Sequence, residues 1–273
     1  MFKNQAWMIA LLVVLVLVLI VGGLGKIFLD TAMGSVCLNI ISAIIFVVVG
    51  ATLFGLLYRR SVVKVTRFFG AEHRIPIQIY ISTHKDSTTI TGKVLTAEES
   101  EAAEELKDAL KKQFPDSIAF WAKQFGVELE TPEIAIKGSP LDEIDIWPYP
   151  GGLILVGGPT RNSLSRFYLK VGNPWLSFDD DKKKFVRRTA KGHWEELDNS
   201  HRLAILEKMV VDGKVVIVAF GFGEIGTSGA VRHLINEWRI LADKYGNEAF
   251  ARLLFVESNG QVDVQEEYPT KMA

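Results

Sequence analysis

The chain has few of the side chains that usually carry covalent or metal chemistry. Its 273 residues include a single cysteine, Cys37, so no disulfide can form within the chain. The histidines at 84, 193, 201 and 233 lack metal-ligand spacing, and we expect no metal site. The motifs G-x-S-x-G and H-E-x-x-H and a P-loop lysine are also absent. These absences exclude the common signatures of hydrolases, zinc peptidases and P-loop NTPases. The missing motifs do not decide whether the protein is an enzyme, but they favour a ligand-binding function over a catalytic one.

A large excess of charge of either sign is also missing. The formal net charge is −1, but residues 1–74 carry seven basic and two acidic side chains, whereas residues 75–273 carry 24 basic and 30 acidic ones. The larger part of the chain is therefore mildly acidic. Because nucleic-acid binding requires a broad basic surface, we expect no nucleic-acid partner.

Two long uncharged runs are present near the start, Ala6 to Val21 and Val36 to Tyr58. A bilayer core is crossed by roughly 20 helical residues. The runs therefore predict a two-helix transmembrane hairpin over residues 1–60. The alternative is a cleaved signal peptide followed by one span, although no A-x-A cleavage site follows the first run.

Basic residues follow the second run closely, at Arg59, Arg60, Lys64 and Arg67. Such residues remain on the cytoplasmic side of a membrane. The predicted location is therefore the inner (cytoplasmic) membrane, as a multi-pass protein with its soluble domain in the cytoplasm. Residues 61–74 would form a basic juxtamembrane linker that anionic headgroups of the lipid bilayer attract.

Residues 75–273 have the pattern of an α/β domain. Apolar runs predict strands over 75–82, 153–156, 215–220 and 252–256, and helical spacing predicts helices over 96–114, 117–125, 162–169 and 228–244. Thr96 and Glu99 form a capping box at the start of the first of these helices. Since strands and helices alternate, we expect a Rossmann-like domain with a mainly parallel sheet covered on both faces.

Short apolar segments on either side of a run of three Asp and three Lys predict a hairpin over 176–187. Its charged tip is better explained as a solvated turn than as a divalent-ion site, because consecutive side chains do not converge on one point.

The first strand–glycine–helix junction is Gly157-Gly158-Pro159-Thr160-Arg161-Asn162-Ser163. Arg161 can pair with a phosphate or carboxylate through two hydrogen bonds, and Asn162 or Ser163 can cap the helix. The alternative is a capped turn with an exposed arginine. The ligand-binding candidates at this junction are Gly157, Gly158, Thr160, Arg161, Asn162 and Ser163.

The second junction, residues 221–226, matches G-x-G-x-x-G between a predicted strand and a predicted helix. Glycines let the backbone approach a phosphate, whose charge the N–H groups at a helix start can hold. The alternative is a tight turn whose glycines serve backbone geometry alone, and Glu224 would repel phosphate. The candidates here are Gly221, Gly223, Gly226, Thr227 and Ser228.

Two more side chains follow predicted strands and would lie at the same edge of the sheet. Glu257 occupies the place of the acid that binds ribose hydroxyls in a Rossmann unit. His84 is the one histidine next to the expected cleft and is a candidate acid–base group.

Residues 75–260 resemble a known class of domain in their architecture. The resemblance depends on three segments, I-Y-I-S (79–82), G-G-P-T-R-N (157–162) and G-F-G-E-I-G-T (221–227). The region resembles the broad class of Rossmann-like nucleotide-sensor domains, which includes the SLOG and TIR-like domains attached to membrane spans in bacterial signalling and antiphage systems. The resemblance implies binding of a nucleotide or nucleotide-derived signal, with the hairpin as output. The chain shows no convincing counterpart to the glutamate of NAD-cleaving TIR domains, so NADase activity is not implied.

The sequence therefore predicts a membrane-anchored cytosolic sensor or effector that binds a small anionic ligand and acts as a homo-oligomer. The only expected cofactor is a nucleotide-type ligand. One alternative is a membrane-anchored nucleotide hydrolase or glycosyl-transferring enzyme that uses the same cleft. The second is a membrane scaffold that recruits a protein partner.

Overall fold

A computed structural model gives the structure of residues 39, 42–43, 49–50, 63–70, 77–85, 93–95, 97–113, 133–139, 152–179, 181–189, 191–197 and 202–269. The chain divides into two structural units, residues 1–60 with 117–129 and residues 61–116 with 130–273. Both glycine junctions belong to the second unit. The helix predicted over 117–125 lies outside the described residues.

The predicted transmembrane hairpin requires correction. Among the described residues, no helix combines the length and the apolar character needed to cross a membrane. The first apolar run lies outside these residues, and the second is described only at the helical residues 39, 42–43 and 49–50. A count of about 20 apolar residues is necessary for a spanning helix but does not establish one. The predictions of a transmembrane hairpin and of a multi-pass inner-membrane location are therefore wrong.

Residues 63–69 are helical, and three of their side chains, those of Val65, Phe68 and Phe69, are buried in the second unit. Phe68 stacks on Phe250 with 6.1 Å between ring centroids, and Phe69 lies 5.9 Å from Trp238. The ammonium of Lys208 lies 4.6 Å from the centre of the Phe68 ring. These aromatic side chains therefore pack on the α/β domain.

After this segment, the described residues form twelve strands and three helices. The strands are β1 (Ile77–Ile81), β2 (Thr83–Lys85), β3 (Lys93–Leu95), β4 (Ile134–Gly138), β5 (Leu153–Val156), β6 (Leu176–Asp179), β7 (Lys184–Arg188), β8 (Trp194–Glu196), β9 (Leu203–Val211), β10 (Lys214–Gly221), β11 (Phe250–Val256) and β12 (Val262–Pro269). The helices are α1 (Ala97–Lys111), α2 (Ser163–Val171) and α3 (Gly223–Tyr245). The main sheet has seven strands in the order β12-β11-β9-β10-β5-β1-β4.

The main sheet is mixed, so the expectation of a mainly parallel sheet was wrong. Neighbours from β10 through β5 and β1 to β4 are parallel, whereas β10, β9, β11 and β12 pair antiparallel. The cause is a hairpin between β9 and β10, whose turn residues Asp212 and Gly213 have φ of 49° and 76°. An Asp-Gly pair between apolar runs is a strong hairpin signal, although no hairpin was predicted at this position. The α/β class itself is confirmed.

The two faces of the sheet carry different layers. Helices α1 and α3 pack on one face and on each other. On the opposite face, α2 and the small sheet β6-β7-β8 cover a core that includes Leu155, Tyr168, Phe185 and Val218. Alternate residues of each buried strand therefore enter different cores, which explains why every residue of β1 and β5 and most residues of β10 are buried.

The hairpin predicted over 176–187 is confirmed by the antiparallel pairing of β6 with β7. At its tip, Asp179 Oδ1 accepts the N–H groups of Asp181 and Lys182. This is a local Asx turn. No group of three or more potential ligands for a metal ion occurs in the part of the chain that the structure describes.

Candidate ligand-binding cleft

A cleft opens where β5 and β10 end. These strands are adjacent and parallel, so their carboxyl ends meet at one edge of the sheet. After β5 the chain turns to α2 on one face, whereas after β10 it turns to α3 on the other. Connections that diverge in this way leave a crevice suited to ligands. The crevice has a volume of about 620 Å³, which is within the usual range for a small-molecule site.

The cleft brings the two glycine junctions together. Seven of the thirteen predicted site residues line it, namely Gly158, Thr160, Arg161, Gly221, Gly223, Thr227 and Ser228. It is also lined by side chains that were not predicted as part of a site, including Glu98, Glu99, Phe178, Lys183, Phe185, Phe220, Phe222 and Ile225. The remaining predicted residues have other positions.

Gly157 has a packing role beside the cleft. Its φ is 104°, and a Cβ atom placed on it would lie 2.5 Å from Oε1 of Glu99. Glu99 is 7% exposed, and Oε2 of its carboxylate accepts the N–H of Ser82 at 2.7 Å. The missing side chain at 157 therefore leaves room for a buried carboxylate that joins the end of β1 to the end of β5.

Asn162 is the N-cap of α2. Its Oδ1 accepts the N–H groups of Leu164 and Ser165, and its Nδ2 donates to the carbonyls of Tyr80 and Val156. The residue is fully buried. Asn162 therefore holds helix α2 against the ends of β1 and β5.

Ser163 does not line the cleft, and its side chain contacts Ser139. Its hydroxyl lies 2.8 Å from the hydroxyl of Ser139, which in turn accepts the N–H of Leu164. The structure thus resolves the alternatives for the cap of α2 in favour of Asn162.

Gly221 and Gly226 allow the end of β10 to approach the first turn of α3. A Cβ atom on Gly221 would lie 2.3 Å from the carbonyl carbon of Gly226, and one on Gly226 would lie 2.9 Å from the Cα of Gly221. Helix α3 begins at Gly223, so Gly226 lies within its first turn, where it is buried. These two glycines therefore serve strand–helix packing.

Thr227 closes the same junction with its hydroxyl. Its Oγ1 accepts the N–H of Gly221 and donates to the carbonyl of Gly223, each at 3.2 Å. The N–H of Phe222 is donated to the carbonyl of Leu203. The N–H groups of Gly221 and Phe222 are therefore both bonded within the protein, and the N–H groups at the start of the helix begin at Gly223, two residues after the first glycine of the motif.

The first turn of α3 is open to the cleft. Phe222, the N-cap residue, makes no side-chain capping bond, and Gly223, Glu224 and Ile225 line the cleft. Gly223 has a φ of 70° and open space where a Cβ atom would be. Because the first N–H groups of a helix lack partners within the helix, this turn can bind an anion or an acceptor atom.

Charged groups of both signs surround this turn. Arg161 and Lys183 are exposed cations, and Lys183 has a φ of 55° at the tip of the β6–β7 hairpin. Glu98, Glu99 and Glu224 supply carboxylates. The cleft therefore suits a ligand with an anionic group and hydrogen-bond donors.

Aromatic rings form one wall. The rings of Phe178 and Phe185 meet edge to face at 5.4 Å, and Phe222 lies 6.3 Å from the first and 6.2 Å from the second. Phe220 lies 5.8 Å from Phe185. A planar ring of a ligand would find an apolar surface here.

Glu257 and His84 are placed elsewhere in the chain. The N–H of Glu257 is donated to the carbonyl of Gln261 in the turn between β11 and β12, and its carboxylate accepts from Asn259. Glu257 does not line the cleft. His84 lies in β2 and pairs with Val94 of β3.

The missed cleft residues have weak local signals. Glu99 was recognised only as a capping residue, and Lys183 only as one of a run of charged residues. Phe222 is an unspecified position of the glycine motif. Their common location depends on the packing of three separate segments, so no short pattern would have identified it.

Burial shifts the pKa values of three described residues strongly, and none of the three lines the cleft. Burial raises the pKa of Glu207 to about 8, although its carboxylate accepts the N–H groups of Trp175 and Leu176. Burial, with help from the charge of Arg252, lowers the pKa of His233 to about 4. Burial also lowers the pKa of Lys208, whose ammonium donates to the carbonyl of Gly246, to about 8. All three side chains form hydrogen bonds within the fold, so we assign them a structural role.

No protein-family model matches the chain, and no match is found among curated proteins or solved structures.

Proposed function

We propose that the second unit binds a small anionic ligand of the nucleotide type. The observation that carries this proposal is the single cleft in which Arg161, Lys183 and the open first turn of α3 lie together with an aromatic wall. Positive charge and helix N–H groups favour phosphate, and the aromatic rings favour a planar base. In this proposal the ligand is a signal, and the protein is its sensor.

Each part of the cleft has a proposed task. The guanidinium of Arg161 binds the phosphate through two hydrogen bonds, and the ammonium of Lys183 adds a second positive charge. The N–H groups at the start of α3 bind the phosphate from another side. The rings of Phe178 and Phe222 contact the base.

The test is a binding screen with the purified full-length chain. Thermal-shift and calorimetric titrations would cover mononucleotides, dinucleotides, cyclic oligonucleotides and ADP-ribose. A ligand at 100 times its Kd should stabilise the fold by about 2.7 kcal/mol. A saturable hit without turnover supports a sensor, whereas consumption of the ligand would favour the nucleotide-hydrolase or glycosyl-transferring alternative. Absence of any hit from folded protein would reject the proposal and favour a scaffold.

Arg161→Ala should weaken binding of the hit by about 10-fold to 100-fold, because a hydrogen bond to a charged group contributes about 1.5–3 kcal/mol. Lys183→Ala should weaken it less, since it removes a single flexible charge. Lys191→Ala is the matched control, because Lys191 is exposed and does not line the cleft. Unchanged affinity in the Arg161 variant would remove the first junction from the site.

The resemblance to nucleotide-sensor domains also leads us to propose that ligand binding changes the association of protomers. Light scattering of the full chain with and without the calorimetric hit measures this directly. An unchanged mass across the titration would reject the oligomeric part of the proposal.

A further inference from the structure

A groove beside helix α2 adjoins the cleft. It has a volume of about 560 Å³, which is within the usual range for a small-molecule site. The groove and the cleft share four lining residues, Pro159, Thr160, Phe178 and Lys183. A ligand bound in the cleft can therefore extend past the first glycine junction into the groove.

The ionisable side chains that line the groove are mostly cationic. Arg166 and Lys170 lie four residues apart in α2 and therefore on the same face of that helix. Lys183 is a third cation, and Asp181 is the one carboxylate in the lining. Charge in this groove therefore favours a further anionic group of the ligand.

The guanidinium of Arg166 is held in place by the loop of the first junction. Its Nε donates to the carbonyl of Pro159 at 2.9 Å, and its Nη2 donates to the carbonyl of Thr160 at 3.2 Å. A guanidinium has more N–H donors than these two bonds use. No carboxylate of the described residues forms an ion pair with Arg166. The groove therefore contains an oriented cation that lacks a counter-ion within the described part of the chain.

The same loop brings Arg166 close to Arg161. The carbonyl of Thr160 belongs to the peptide unit that ends at the Cα of Arg161, so the guanidinium of Arg166 contacts the backbone directly before Arg161. Arg161 lines the cleft, and Arg166 lines the groove. Two arginines from one short segment thus line adjoining cavities, an arrangement that suits neighbouring phosphate groups of a single ligand.

We propose that the groove binds a second phosphate group of the ligand through Arg166, so that the protein selects nucleotides with a phosphate chain over nucleoside monophosphates. This inference rests on the proposed function, in which Arg161 binds the first phosphate. Phosphate oxygens accept hydrogen bonds from a guanidinium in the plane of its N–H groups, and the two loop carbonyls fix that plane at Arg166.

The test is a calorimetric titration of the full-length chain with AMP and ADP, GMP and GDP, CMP and CDP, and UMP and UDP, without added divalent ions. We expect the diphosphate of a binding pair to bind about tenfold more tightly or better, because it adds a charge-assisted hydrogen bond to Arg166. Equal affinities within every binding pair overturn the inference and leave the proposed function intact. Absence of binding by all of these nucleotides overturns the inference, whereas the wider screen decides the proposed function.

Arg166→Gln tests the groove directly. A glutamine amide can still donate to a loop carbonyl, so we expect a folded protein in which the preference for the diphosphate falls to about threefold or less and the affinity for the monophosphate stays within about twofold. Arg161→Ala should instead weaken both members of a pair. Arg188→Gln is the control, because Arg188 lines neither the cleft nor the groove, and it should keep the preference. Retention of the full preference in the Arg166 variant overturns the assignment.

Asp181→Asn is a second test that does not depend on the Arg166 variant. Asp181 is exposed and lines the groove but not the cleft, and the Asx turn keeps its acceptor, Asp179. Loss of the Asp181 carboxylate removes repulsion of the second phosphate, so the affinity for the diphosphate should rise about threefold and that for the monophosphate should stay the same. Unchanged or weaker binding of the diphosphate would overturn the inference, even if the Arg166 variant did not fold.

Discussion

Single residues in this protein often have a tertiary role that differs from their local one. Glu99 belongs to a capping box by sequence, yet its carboxylate also accepts a hydrogen bond from the end of β1 and lines the cleft. Gly157 belongs to a loop motif, yet its lack of a side chain makes room for that carboxylate.

Gly157→Ala should destabilise the protein. A non-glycine residue at a φ of 104° costs about 1–3 kcal/mol, and contact of the new Cβ with Glu99 adds to this. We expect the free energy of unfolding in urea to fall by about 3 kcal/mol. Gly213→Asn is the control, because Gly213 has a φ of 76°, has no atom within 4 Å of a built Cβ, and lies in a turn where Asn is tolerated. A loss of less than 1 kcal/mol at 157 would contradict the packing argument.

At the scale of elements, the positions of the two strand–helix junctions agree with the prediction. The roles of the residues within each junction differ from it. The strand ends at 156 and near 220 and the following helices agree with the sequence patterns. However, α3 begins at Gly223 instead of Ser228, so part of the expected loop is the first helical turn. Local patterns identify where a strand stops, but the N-cap is decided by which backbone groups find partners in the fold.

Asn162→Ala tests the element-level role of the α2 cap. It removes the side chain that caps α2 and donates to two strand carbonyls, so we expect a loss of about 2–3 kcal/mol in unfolding free energy. Ser163→Ala, which removes one hydroxyl contact with Ser139, should cost about 1 kcal/mol or less. Similar losses for the two variants would show that Asn162 is no more than a local cap.

For the whole molecule, the mixed sheet determines where an ionisable group is buried. Glu207 lies in β9, between β10 and β11, and faces the core beneath β6 and α2 with 1% of its surface exposed. It joins that sheet to the start of β6 through the N–H groups of Trp175 and Leu176. A carboxyl group in this position makes the stability of the fold depend on pH.

The direction of that dependence follows from the raised pKa of Glu207. Its value is about 8 in the folded chain and 4.5 as a free group. Between these values the folded state keeps a proton that the unfolded state has lost, so this stabilising contribution is present below pH 4.5 and is lost as the pH rises to 8. The total effect is at most about 5 kcal/mol.

Glu207→Gln should remove this slope, because an amide does not titrate. Urea unfolding between pH 5 and 8 should show the wild-type chain losing stability relative to the variant as the pH rises. His233, with a folded pKa of about 4, acts in the opposite direction and costs stability as the pH falls below 6.5; comparison with the Glu207 variant cancels this effect. Parallel stability curves for the two proteins would refute the assignment.

Sequence alone determined the α/β class, the strands β1, β5, β10 and β11, and the two glycine junctions. These features depend on patterns that extend over a few residues, such as apolar runs and glycines next to a helix start. Tertiary structure alone decided the mixed strand order and the presence of Arg161, Lys183 and Glu99 in one cleft. Those outcomes depend on which distant segments pack together, and the same local pattern is compatible with several such arrangements.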